Sequence, residues 1–132
     1  MVVLDASALV DVLLRRGDRG AWVGDAIADF PVVVAPHLLE VELLSSLRRL
    51  VLLDKLTPEH GRLALARFLA FGVRLYPSTR TLGRIWELRD SLSAYDAAYV
   101  ALAEALDLPL VTTDERLGRS RGHRAKLVAY ST

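Results

Sequence analysis

Apolar residues fall along this chain in two alternating patterns, short unbroken runs and longer stretches spaced at three and four positions. Val2 to Leu4 is a run that ends in the carboxylate of Asp5, after which Ala8, Leu9, Val12 and Leu13 recur at helical spacing across Ser7 to Arg15. A strand followed by a helix is expected. Gly17 and Gly20 predict a break after that helix, with a second helix over Ala21 to Asp29. The β-branched run Val32 to Val34 predicts the next strand.

Pro36 stands where a helix would begin, and Leu38 to Leu52 has helical density with no internal Gly or Pro. Thr57-Pro58-Glu59 is an N-cap followed by proline at the first helical position, opening a helix that runs to Phe71 and closes at Gly72. Val73 to Tyr76 predicts a third strand and Thr81 to Arg89 a helix. Ser93-Ala94-Tyr95-Asp96 resembles a capping box with Asp in place of Glu, opening the Ala-rich helix Ala94 to Leu106. Leu110 to Thr112 and Leu127 to Ala129 are the last strands, with a short helix from Asp114 to Gly118 between them.

Strands that are continuous apolar runs, alternating with helices, indicate an α/β domain whose parallel sheet is covered on both faces. The 132 residues suit one domain, and 52% hydrophobic content suffices for one core. A net charge of +1 argues neither for nor against nucleic acid. The absence of cysteine removes disulfides and thiolate metal sites and fits a reducing compartment. No apolar run approaches the roughly 18 residues of a membrane span, and no basic segment precedes the first apolar run as in a signal peptide. A soluble cytoplasmic protein is expected.

In an open parallel sheet, ligands bind beyond the carboxyl ends of the strands. Asp5 and Asp114 each close a strand there, and Asp96 lies in the first turn of a helix whose other residues are almost all apolar. Burying such a carboxylate without a partner is costly, and a hard cation such as Mg²⁺ or Mn²⁺ is a natural partner. Each acid also has a simpler reading as a helix cap or first-turn acid, a role worth about 0.5 to 2 kcal/mol. Glu40 and Glu42 point about 200° apart on their helix, so one ion cannot easily take both. Glu42 shares a face with Ser45, Ser46 and Arg49, whereas Glu40 heads the stripe Leu43, Leu44, Leu47 and Val51; periodicity alone leaves the choice open.

Other residues fit structural roles. Asp11, six positions after Asp5, reads as a solvated helix residue. His37, His60 and His123 have no paired zinc-type spacing, and Trp22 and Trp86 read as core or interface anchors. Arg116 to Lys126 is a basic stretch free of acids, and Arg116 is a candidate contact for RNA phosphate.

Four segments together resemble the PIN domain nucleases, and within them the VapC-type toxins of toxin–antitoxin pairs. Val3-Leu4-Asp5-Ala6-Ser7-Ala8-Leu9 is similar to the family's opening motif. Pro36 to Leu47 is similar to the second and selects Glu42. Ser93 to Ala103 is similar to the third, and Leu110 to Leu117 to the fourth. The resemblance covers essentially the whole chain as one PIN-like domain, residues 1–132.

It implies a five-stranded parallel sheet flanked by helices on both faces, with Asp5, Glu42, Asp96 and Asp114 meeting at its carboxyl edge. Asp5, Asp96 and Asp114 would hold Mg²⁺ or Mn²⁺, with Ser7 and Thr112 hydrogen-bonding the carboxylates. It further implies endonucleolytic RNA cleavage, a homodimer and a small inhibitory antitoxin. The alternative is a catalytically silent PIN-like module that binds RNA or protein. An aspartyl-phosphate phosphatase would want a second Asp two residues after Asp5, where Ser7 stands. A phosphoacceptor signalling domain would want an acid near Tyr76-Pro77-Ser78, which has none.

Overall fold

The computed structural model describes all 132 residues, Met1 to Thr132. Five parallel strands form one sheet: β1 Val2–Leu4, β2 Val33–Pro36, β3 Arg74–Tyr76, β4 Leu110–Thr112 and β5 Leu127–Ala129. The helices are α1 Ala6–Leu13, α2 Gly17–Ile27, α3 Leu38–Leu52, α4 Pro58–Phe71, α5 Leu82–Glu87, α6 Ala94–Leu106 and α7 Glu115–Gly118. No helix is long and apolar enough to cross a membrane.

The strand order is β3-β2-β1-β4-β5. From β1 the chain steps outward through β2 to β3, then returns across the sheet to β4 and β5. Right-handed crossovers therefore place α1 to α4 on one face and α5 to α7 on the other. The packing agrees: α1 contacts α2, α3 and α4, while α6 contacts α5 and lies along β1, β2 and β4. The chain leaves β1 and β4 toward opposite faces, so a crevice opens between their carboxyl ends. Val3 pairs with Leu110 and Leu4 with Val111, which brings Asp5 and Thr112 side by side.

Unbroken apolar runs suit strands covered on both sides. Val2, Val3, Leu4, Val34, Leu110 and Val111 are all buried, and Leu9, Leu39, Leu43, Val100 and Leu102 pack over them from the helices. Most helix starts follow local chemistry. Thr57 Oγ1 accepts from His60 N, and Gly72 closes α4 at φ +71°, a conformation that favours glycine.

Three boundaries differ from expectation. Gly17 and Gly20 do not keep the second helix waiting until Ala21; α2 begins at Gly17 and contains Gly20. A Cβ on Gly20 would come within 2.7 Å of the Asp11 carbonyl oxygen, so this glycine lets α2 pack directly on α1. Pro36 ends β2 instead of opening α3. The helix expected over Thr81 to Arg89 is the shorter α5, and a 3-10 turn, Thr79–Thr81, precedes it.

Candidate metal and nuclease site

The carboxyl ends of β1 and β4 are knitted together by two hydroxyls. Thr112 Oγ1 donates to Asp5 Oδ2 at 2.5 Å and accepts from Asp114 N at 3.0 Å. Ser7 Oγ donates to Asp5 Oδ1 at 2.8 Å and accepts from Thr113 N at 3.3 Å. Asp5 Oδ1 also accepts from Ala8 N, so the same carboxylate caps α1. Asp114 likewise caps α7, its Oδ1 accepting from Arg116 N and Leu117 N. The cap reading therefore holds for both Asp5 and Asp114, and the same two carboxylates stand at the ends of adjacent strands.

Asp96 is different. The cap of α6 is Ser93, whose Oγ accepts from Asp96 N at 3.2 Å, as the box-like sequence predicts. The Asp96 carboxylate does not return that bond; its Oδ2 instead accepts from Arg116 Nη2 at 3.0 Å. The same Nη2 lies 3.6 Å from Asp114 Oδ2. Glu42 reaches the site from α3, its Oε1 accepting from Tyr99 Oη at 2.6 Å. Glu40 is exposed and forms no side-chain hydrogen bond or ion pair, although Glu42 is only two residues away.

Electrostatics link these groups. Burial raises Asp5 to about 6, against the hydrogen bonds from Thr112, Ala8 and Ser7, and the charge of Asp114 adds to the rise. Burial also raises Glu42, with Asp96 contributing, and raises Asp96, where Arg116 opposes and Asp114 adds. Tyr99 is buried against Glu42, which pushes its phenol well above the usual range. It therefore acts as a hydrogen-bond donor. Four carboxylates feel one another here, and Arg116 is the cation paired among them.

No three acidic or histidine side chains stand at metal-ligating spacing in this arrangement. The reason is visible in the contacts: Arg116 occupies the space between Asp96 and Asp114, and both Asp5 oxygens face protein donors. The donor set itself is all oxygen, with neither thiol nor imidazole, and it carries excess negative charge. That chemistry fits a hard divalent cation.

Asp11 corrects the sequence reading. Instead of being solvated it is buried, its Oδ2 accepting from Thr113 Oγ1 at 2.6 Å and its Oδ1 lying 3.5 Å from Arg16 Nη1. The signal was the i, i+4 pair Ser7 and Asp11 on an otherwise apolar helix, a polar stripe that points toward the tandem Thr112-Thr113. Tyr99 was also given no role from sequence; a tyrosine three residues after Asp96 in an Ala-rich helix was its only sign. The basic stretch divides: Arg116 and Arg119 form ion pairs, and Arg124 N donates to Glu104, itself gripped by Arg84.

The chain matches the PIN domain family over residues 2–122. It is 47% identical over 117 residues to VapC ribonuclease Mb0985 of Mycobacterium bovis, an alignment covering 89% of this chain and 88% of the relative. Identity to ribonuclease VapC1 of Mycobacterium tuberculosis is 42% over 121 residues, covering 91% and 90%. The crystal structure of VapBC2 from Rickettsia felis, bound to a DNA fragment from their promoter, superimposes with a TM-score of 0.71 at 16% identity. That match covers 99% of this chain and all of the other, and shows the shared fold. With a parallel sheet of this order and a match across nearly its whole length, the chain belongs to the PIN domain family and, within it, groups with the VapC ribonucleases.

Proposed function

We propose that this chain is a metal-dependent endoribonuclease and the toxin of a toxin–antitoxin pair, acting on RNA in the cytoplasm as a single PIN-like domain. The observation that carries the reading is the placement of Asp5, Glu42, Asp96 and Asp114 around the β1–β4 crevice, with one arginine between them. The VapC ribonucleases it is similar to support it, and none of the four acids departs from the family pattern.

Asp5, Asp96 and Asp114 would hold the ion, with Glu42 beside them. The chemistry such a site supplies when loaded with Mg²⁺ or Mn²⁺ is a water of lowered pKa and charge stabilisation at the leaving oxygen. Ser7 and Thr112 fix the Asp5 carboxylate, as outer hydrogen-bond partners do around metal ligands. Tyr99 holds Glu42 Oε1 and leaves Oε2 free to take a proton from the attacking water, a task that suits a carboxylate raised above its usual range. Arg116 is 74% exposed and can swing from Asp96 to a phosphate oxygen when substrate arrives.

A homodimer and an acid-site contact with an antitoxin complete the proposal. Val41, Leu44 and Leu52 form an exposed apolar stripe on α3 that suits a second copy.

The test is cleavage of RNA by purified, partner-free protein. Cleavage is expected with Mg²⁺ or Mn²⁺, and is expected to vanish in excess chelator and in Asp96→Asn, whose circular dichroism should match the wild type. Equal cleavage by Asp96→Asn, or by wild type in chelator, refutes the mechanism.

A further inference from the structure

Next to the carboxylates, a cavity of about 420 Å³ opens between α1, the start of α2 and the second half of α3. Its lining joins Ser7, Thr113 and Asp114 of the acid site to four cations, Arg16, Arg19, Arg49 and Lys55. Asp11 also lines it, but that carboxylate is already engaged by Thr113 and Arg16. Arg19, Arg49 and Lys55 have no carboxylate within ion-pair distance. The close approach of α2 to α1 at Gly20 fixes where Arg16 and Arg19 emerge, and the Arg19 guanidinium lies 5.9 Å from the Tyr130 ring centroid.

Arg19, Arg49 and Lys55 line one cavity without ion-pair partners and repel one another, so this arrangement favours a polyanion. A nucleic-acid strand whose scissile phosphate sits at the acid site must lead its neighbouring phosphates away from those carboxylates. This cavity is the adjoining cationic route. Nine of its twelve lining residues are polar or charged, with Val10, Leu50 and Leu53 the apolar members, and no aromatic side chain lines it as an anchor pocket for a protein segment would have.

We propose that this cavity binds the phosphodiester backbone of single-stranded RNA adjoining the scissile phosphate, with Arg49 and Lys55 as its phosphate contacts and Arg19 beside them. The assignment rests on the ribonuclease reading above. The salt link between Arg16 and Asp11 sets the floor of the subsite, and Thr113 ties that floor to β4.

The experiment compares wild type, Arg49→Ala/Lys55→Ala, and a control pair, Arg62→Ala/Arg80→Ala, which removes equal charge from exposed positions outside the cavity. Fluorescence anisotropy in excess chelator follows binding of a single-stranded RNA oligonucleotide through a salt series, and cleavage with Mn²⁺ gives KM and kcat. For Arg49→Ala/Lys55→Ala the slope of log affinity against log salt should shrink by about 1.4, about 0.7 per lost phosphate contact. KM should rise about ten-fold with kcat within about two-fold of wild type, as expected for lost binding that is uniform along the reaction.

An unchanged slope and KM in this variant, or equal losses in the control pair, overturn the subsite while leaving wild-type cleavage intact. Loss of binding to a poly-glutamate peptide with RNA binding unchanged overturns it in favour of a protein ligand. Absence of cleavage by wild type refutes the ribonuclease reading and this assignment with it.

Discussion

Tyr99 Oη donates to Glu42 Oε1 across 2.6 Å, joining α6 to α3 between residues 57 positions apart. Without it, Glu42 would sit on a half-exposed helix face with free choice of rotamer. Tyr99→Phe keeps the ring in its buried place and removes only the donor. The expected outcome is a loss of about 10- to 100-fold in kcat, the range for removing partners that orient site carboxylates, with about 1 to 2 kcal/mol lost in stability. Steady-state kinetics and denaturant unfolding check both, and an unchanged kcat would remove Tyr99 from any positioning role.

Asp5→Asn should abolish cleavage yet stabilise the metal-free protein. The Asp5 carboxyl rises from 3.8 to about 6, so keeping it ionised at pH 7 costs the folded state up to about 3 kcal/mol at about 1.4 kcal/mol per unit. Asparagine removes that cost: its oxygen can still accept from Ser7 and Ala8, while its amide must donate to Thr112 Oγ1, whose hydroxyl hydrogen has to turn away, a smaller loss than the charge relieved. Thermal unfolding in chelator at pH 7 should show a higher Tm for the variant; a lower one contradicts the charge argument.

The same group gives opposite pH trends for stability and activity. Folded Asp5 holds its proton up to about pH 6 and unfolded Asp5 releases it near 3.8, so this contribution to metal-free stability is complete below that window and is lost as pH rises through it. Cation binding needs ionised carboxylates, so cleavage should climb with pH through about 6. Unfolding in chelator and a pH profile of kcat/KM, both across pH 4 to 8 or so, test the pair of trends. Parallel trends would rule out Asp5 as the common cause.

Arg116 bridges two of the acids proposed to hold the ion, 3.0 Å from Asp96 and 3.6 Å from Asp114. Removing it leaves those acids without their counter-charge. Arg116→Ala should therefore bind Mn²⁺ a few-fold more tightly, a small effect because the guanidinium is largely exposed. It should also bind RNA with a salt slope lower by about 0.7. Calorimetry with Mn²⁺ and anisotropy with RNA separate the two; weaker Mn²⁺ binding would assign Arg116 a supporting role at the site.

Gly20→Ala sets helix propensity against packing. Alanine inside α2 would gain about 1 kcal/mol over glycine in an isolated helix. The added Cβ meets the Asp11 carbonyl oxygen at 2.7 Å, and backbone must move, at a cost of about 1 to 3 kcal/mol. Packing should win, lowering Tm, and a raised Tm would show that α2 lifts from α1 without penalty.

Sequence patterns revealed most of what local chemistry controls. The strands were legible because both of their faces are buried and the runs are unbroken, and the starts of α4 and α6 because Thr57 and Ser93 bond within three residues. What stayed hidden is long-range. Gly20 looks like a breaker until α1 is known to lie against it, and Asp11 looks solvated until Thr113, 102 residues away, is set beside it. Asp5 and Asp114 were visible as acids at strand ends, yet their caps were equally visible, and only the adjacency of β1 and β4 joins them. Arg116 was legible as a charge but not as a partner of Asp96, since helices α6 and α7 meet only in the folded chain.

The innermost strand of the sheet, β1, is the first to be synthesised, yet one of its two neighbours, β4, is the last strand but one. Asp5 leaves the ribosome early, but the hydroxyl that holds its second oxygen belongs to Thr112, 107 residues later. A nascent chain short of that point has neither the fourth acid nor the strand that carries it. The four carboxylates therefore cannot come together while most of the polypeptide is still being made, and their meeting waits until synthesis is nearly complete.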